Sequence, residues 1–98
     1  MVVVPSPNET FCLSLAEALM ANVPVAAVDS PGSRWLTDDG RLLDLAPPTA
    51  AALAGSMLSA LSSSEAERDA RRAFVESRFN AGVVEGLYRT WAERRVPV

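Results

Sequence analysis

Along the 98 residues, short apolar runs alternate with stretches of helical period. Val2 to Val4 is a β-branched run closed by Pro5 and Pro7. Apolar residues at successive positions predict a strand buried on both faces. Ser6 to Thr10 is a polar loop. From about Phe11 to Ala21 the pattern turns helical: Phe11, Leu15 and Leu19 fall at i, i+4 and i+8, with Cys12, Ala16 and Met20 beside them. Asn22 is a stop signal. Val23 to Val28 is a second apolar run, ending in Asp29 and a Ser-Pro-Gly turn. Arg34 to Thr37 reads as a short helix, Asp39-Gly40 as a turn, and Leu42 to Leu45 as a weaker third strand.

The second half is helical throughout. Pro47 and Pro48 lead to Thr49, a good N-cap for a stripe formed by Leu53, Met57 and Leu61. Ser62 to Ser64 break that helix, and Ser64 with Glu67 matches a capping box for the next, about Glu65 to Phe79. Its apolar positions are Ala66, Ala70, Ala73 and Phe74, and Glu67 and Arg71 stand in the favourable i, i+4 order. Asn80 caps a last helix with Val83, Val84, Leu87, Tyr88 and Trp91 on one face. Strands alternating with helices predict an α/β fold of parallel βαβ units. About three parallel strands with flanking helices and a helical C-terminus correspond to half of a doubly wound, Rossmann-like domain. No linker or repeat divides the chain, so residues 1–98 are expected to form a single, partial domain.

Composition then narrows the chemistry. Twelve acids against nine bases give a net charge of −3, with no basic stripe for nucleic acid. All nine bases are arginine; histidine and lysine are absent. That excludes a self-contained Ser-His-Asp or Cys-His site and a P-loop. One cysteine forms no internal disulfide and no zinc cluster. There is no signal-peptide pattern and no apolar run long enough to cross a bilayer. A soluble, reducing, cytoplasmic setting is expected, and the use of Ala and Arg without Lys points to a GC-rich bacterial gene.

The segment ETFCLSLAE carries the candidate chemistry. In parallel sheets ligands bind at the carboxyl ends of the strands. The loop Pro5 to Thr10 lies there, and the following helix aims its free amides at the same place, which favours an anion. Phe11, Cys12 and Leu13 would offer amides to a phosphate or diphosphate. Glu9 and Glu17 stand eight positions apart, about 12 Å along a helix. One carboxylate could hold a sugar and the other a ribose, on either side of the phosphates. Thr10, Leu13, Ser14, Glu17 and Ala21 would form the ligand-facing side. Ser6 with Glu9, and Ser14 with Glu17, also fit capping boxes, and spacing alone favours that structural account.

The surrounding residues add a resemblance. VVVPSPNETFCLSLAEALMANVPVAAVDSPG resembles the C-terminal donor-binding domain of GT-B retaining glycosyltransferases of glycosyltransferase group 1, also called family 4. The matching elements are a strand ending in Pro-Ser (Val2 to Ser6), a Glu-x7-Glu motif (Glu9 to Glu17), an Asn-Val-Pro-Val strand (Asn22 to Val25), and an acid with a Gly turn (Asp29 to Gly32). ESRFNAGVVEGLYRTW, Glu76 to Trp91, is similar to the family's Arg-Phe-Ser…Val…Tyr ending. The resemblance implies transfer of a glycosyl group from a nucleotide-sugar donor, with retained configuration and without an obligatory metal or cofactor. It places the sugar hydroxyls on Glu9, in the catalytic position. Donor-binding amides and neighbours fall on Thr10 and on Phe11 to Leu13, and the ribose falls on Glu17.

Departures are visible too. Cys12 stands where the family has Gly; it is expected to be a small buried cysteine, with an activated thiol as the alternative. Trp35 stands near a Glu position, and the loop after Gly40 is short. The N-terminal acceptor domain and the basic pair of the C-terminal domain's first half have no counterpart in these residues. The chain is therefore expected to be a gene fragment, a truncated frame or one half of a split enzyme, inactive alone. Its partner would be the missing N-terminal domain or a separate chain. The exposed edge of the first strand opens it to self-association. Any membrane contact would be peripheral, at the inner membrane and in a full-length enzyme. A non-catalytic nucleotide-sugar-binding or partner-interaction module is the alternative function, and an unrelated small α/β domain the third.

Overall fold

The computed structural model describes residues 1–10, 12–79 and 81–95; Phe11, Asn80 and 96–98 lie outside the description, as do the side chains of Ala81, Val83, Val84, Leu87, Trp91, Arg94 and Arg95. The order is β1 (Val2–Val4), α1 (Leu13–Met20), β2 (Val25–Ala27), α2 (Pro31–Leu36), α3 (Ala50–Leu61), α4 (Glu65–Arg78) and α5 (Ala81–Arg95). β1 and β2 pair in parallel, with Val2 opposite Val25 and Val4 opposite Ala27. A small α/β domain with a short parallel sheet flanked by helices results, a partial Rossmann-like fold. Among the described residues, no helix is long and apolar enough to cross a membrane.

The expected third strand is reduced and displaced. A parallel bridge joins Val28 to Ala46, where Ala46 N–H donates to Ala27 C=O at 2.9 Å and Asp29 N–H donates to Ala46 C=O at 2.8 Å. Leu42 to Leu45 do not continue it, because Leu42 is held elsewhere. Its N–H donates to Thr37 C=O at 3.1 Å, and its C=O accepts from Arg71 Nε at 2.7 Å. β2 is buried throughout, whereas Val2 and Val3 of β1 are only half-buried. The outer edge of β1 explains the difference: no described strand lies on that side.

Local chemistry sets the helix ends. α1 stops at Asn22, which takes φ 60°. Asn22 N–H donates to Leu19 C=O at 3.2 Å, and Val23 N–H to Ala18 C=O at 3.5 Å. This Schellman pattern satisfies carbonyls that would otherwise be orphaned. Thr49 caps α3 through Ala52 N–H, and Ser64 caps α4 through Glu67 N–H. α2 begins earlier than the Arg34 start suggested by pattern. Ser30 is its N-cap, Pro31 fills the first turn, and Ser30 and Ser33 form a reciprocal capping box.

The core joins Leu15, Leu19, Val25, Ala27, Leu36 and Val75. α1 packs on both strands, on α2 and on α4, while α3 packs on β2. α4 does not bury its small apolar residues: Ala66, Ala70 and Ala73 are exposed, and Arg71 and Val75 are buried. Arg71 can enter because its stem packs while its guanidinium finds the Leu42 carbonyl and Glu67. α5 packs chiefly on α4, and its Tyr88 is exposed.

Candidate functional site

Two loops meet at the carboxyl ends of the strands. Val4 leads into the loop ending at Cys12, and Val28 leads through Asp29 into α2. They are pinned together by backbone. Gly32 N–H donates to Glu9 C=O at 2.8 Å. A β-carbon on Gly32 would stand 3.0 Å from Glu9 O, 3.0 Å from Cys12 N and 3.2 Å from Thr10 C. So close an approach requires glycine, which carries no β-carbon. The α2 side is itself fixed. Asp29 accepts from Arg34 Nε at 2.6 Å and Nη2 at 2.8 Å, and Arg34 Nη1 reaches Asp39 at 3.3 Å. The Arg34 hydrogen bonds hold the Asp29 carboxyl below its usual range.

α1 starts from this pinned loop. Cys12 is its N-cap residue, and no side chain caps the first turn. Neither Ser6–Glu9 nor Ser14–Glu17 forms the capping box that their spacing allows, since the helix opens at Leu13. The amino end of α1 is therefore open to an acceptor from outside.

Cys12 is buried. Burial pushes its thiol pKa up; the Leu15 amide partly offsets this, and the Glu9 carboxylate raises it further. The activated-thiol alternative is thus corrected: the side chain is a neutral core residue. At pH 8, alkylation of Cys12 by iodoacetamide is expected to be slow in the folded chain and to reach the rate of a free cysteine in urea. Because the folded-state pKa is raised, stability is full below the unfolded thiol pKa and declines as pH climbs toward the folded one.

The α1 face expected to meet a ligand lies at the surface. Thr10, Leu13, Ser14, Glu17 and Ala21 are all exposed. A cleft of about 340 Å³ runs along it, lined by Leu13, Ala16, Glu17 and Met20 of α1 and by Glu76 and Phe79. The structure thereby brings Glu17 and Leu13 into one cleft. Glu9 is half-buried in the pinned loop and does not line the cleft; Thr10 is exposed beside it, and Phe11 lies outside the described residues. Glu76 and Phe79 were not singled out from sequence, because only the docking of α4 against α1 brings them there. Gly32 was quoted only as part of a turn; its place two residues after an N-cap serine was the available signal. No described cluster of acids or cysteine could hold a metal ion.

The family model described as Glycosyl transferases group 1 matches residues 1–76. Glu9, Glu17, Asp29 and Gly32 all fall inside that span, whereas the tail from Glu76 to Trp91 lies almost wholly beyond it. No curated protein and no solved structure matched the chain. The match spans well over half of the 98 residues, so the chain belongs to the glycosyltransferase group 1 family, with a GT-B-like domain.

Proposed function

We propose that this chain is the donor-binding segment of a retaining glycosyltransferase. Glu9 takes hydroxyls of the transferred sugar. The amides from Phe11 to Leu13, with Thr10 beside them, take the diphosphate. Glu17 takes the ribose. The observation that carries this is the uncapped amino end of α1, opening at the carboxyl ends of the strands beside a cleft that holds Glu17. Departure of a nucleoside diphosphate builds negative charge, and amides already aimed at that charge stabilise the transition state without reorganising.

The open edge of β1 supports a partner. Val2 N–H donates to Pro24 C=O, and Val4 C=O accepts from Val28 N–H. In a parallel ladder this turns the Val3 amide and carbonyl to the outer edge, where a further strand can add. We assign that place to the remainder of a GT-B enzyme, on the same chain or a separate one. It brings the acceptor and excludes water, both needed for transfer.

Titration with UDP-, GDP- and ADP-sugars tests the donor assignment. One of the three is expected to bind. Glu17→Ala is expected to weaken it about tenfold or more, the loss of a charged hydrogen bond. The 98-residue chain alone is expected to turn over none of them. Equal affinity in wild type and Glu17→Ala removes Glu17 from the site. Turnover by the purified chain overturns the need for a partner.

A further inference from the structure

The structure holds a cation that none of these assignments uses. α4 runs antiparallel to α1: Asn22, just past the end of α1, donates from Nδ2 to Asp69 Oδ1 at 2.8 Å. At the other end of the pair, Phe79 shares a cleft with Leu13, at the start of α1. The last turn of α4 therefore lies at the same end of the sheet as the Glu9 loop. Arg78 is in that turn.

Its setting is unlike that of its neighbours. Arg34, Arg41, Arg71, Arg72 and Arg89 each hold a carboxylate, and Arg68 holds the Ser63 carbonyl. Arg78 makes no ion pair or hydrogen bond with any described residue, and its Nε is buried without an acceptor. Instead its guanidinium carbon sits 5.0 Å from the Trp35 ring centre and 4.8 Å from that of Phe74. Phe79 packs on the same Trp35, edge to face, at 5.5 Å and 82°. Trp35 belongs to α2, one turn beyond the Gly32 that touches the Glu9 loop. The two rings hold the guanidinium in place, and of its nitrogens Nε is buried, so contact with an outside anion falls to the two Nη groups. In a chain with twelve acids and nine bases, Arg78 thus has neither a described acid nor a described carbonyl as partner, at the end of the sheet where α1 opens.

We propose that Arg78 makes an ionic contact to the phosphate groups of the donor. The inference rests on the donor reading of the α1 site and adds the cationic component which that reading lacks. A planar guanidinium held by aromatic faces suits bidentate contact with phosphate oxygens. Trp35 then acts as the shelf that sets the angle of the arginine.

NMR titration of the 98-residue chain with UDP, GDP and ADP, and in parallel with uridine, guanosine and adenosine, tests this. Arg78→Gln is expected to weaken the preferred diphosphate about tenfold and to leave the matching nucleoside unchanged. Arg78→Lys keeps the charge without the planar fork and is expected to weaken the diphosphate by about threefold, again sparing the nucleoside. Unchanged diphosphate affinity in Arg78→Gln, or equal loss for nucleoside and diphosphate, overturns the Arg78 contact and leaves the donor reading standing. If Arg78→Gln fails to fold, unchanged diphosphate affinity in Arg78→Lys overturns it instead. If the wild-type chain binds none of the diphosphates, the donor reading falls and this contact with it.

Discussion

Gly32→Ala is expected to destabilise the chain by up to about 2 kcal/mol and to abolish detectable nucleotide-sugar binding. Two effects compete at this position. Gly32 lies in the first turn of α2, and alanine is the better helix former by about 1 kcal/mol. Against that, the new β-carbon would meet three backbone atoms at 3.0, 3.0 and 3.2 Å. Backbone cannot rotate aside as a side chain can, and overpacking of this kind costs about 1–3 kcal/mol. The clash therefore wins. The loop it displaces carries Glu9 and the N-cap of α1, so the binding loss should exceed the stability loss. Gly55 in α3 is the control, since nothing lies within 4 Å of a β-carbon there. Gly55→Ala is expected to raise stability by about 0.5–1 kcal/mol through propensity alone. Urea unfolding of both variants, with a nucleotide-sugar titration of each, separates the outcomes. A Gly32→Ala chain as stable as Gly55→Ala would mean that the two loops are not locked together at Gly32.

How much of this could be read from the sequence depended on the range of the interactions. Caps are local, so Thr49 and Ser64 marked the starts of α3 and α4 correctly. Asn22 likewise marked the end of α1, because a left-handed residue is tolerated there by few side chains. α2 was placed late because Ser30-Pro31-Gly32 carries two messages. The same three residues suit a turn and the entry to a helix, and the Ser33 hydroxyl decided between them by closing the box with Ser30. The third strand was misplaced because no local signal reports that Arg71, 29 residues on, takes the Leu42 carbonyl. The buried face of α4 was not legible for a related reason. A residue-type scale puts alanine inside and arginine outside, yet alanine on α4 reaches nothing, while arginine spans to a carbonyl that needs a donor.

The candidate site divides along the same line. Glu9, Cys12, Leu13 and Glu17 lie within one stretch, so helical spacing alone put Leu13 and Glu17 on one face. The cleft beside them has a second wall, Glu76 and Phe79, that belongs to a helix some 60 residues away. The Arg78 stack needs α2 and α4 to meet before it exists. Docking of helices is non-local, and no periodicity within one segment announces it. Residues found from sequence are thus those carried by α1 and its loop. Residues found only from the structure are Gly32, where α2 meets the Glu9 loop, and those that the antiparallel packing of α4 supplies.

Arg71→Ala is expected to cost about 2–4 kcal/mol, the largest single loss of stability foreseen here. Arg71 is 8% exposed overall. Its Nε–H donates to the Leu42 carbonyl at 2.7 Å, and its Nη2 lies 3.5 Å from a Glu67 carboxylate that is itself well exposed. The carbonyl contact dominates. Truncation leaves Leu42 C=O without its donor, at a cost of about 1–3 kcal/mol, and removes a packed stem beside Leu43 and Val25. The ion pair matters less, because solvent screens an exposed glutamate and such pairs contribute about 0–1 kcal/mol. Glu67→Ala is therefore expected to lose less than about 1 kcal/mol. Arg71→Lys should fall between them, since an ammonium can reach one acceptor but cannot span two. For a chain of this size, whose total stability is expected near 5–10 kcal/mol, Arg71→Ala removes a large share. Denaturant unfolding of the three variants ranks the contributions. Equal losses for Arg71→Ala and Glu67→Ala would shift the weight to the ion pair. They would also leave the displacement of the third strand from Leu42 to Ala46 without its proposed cause.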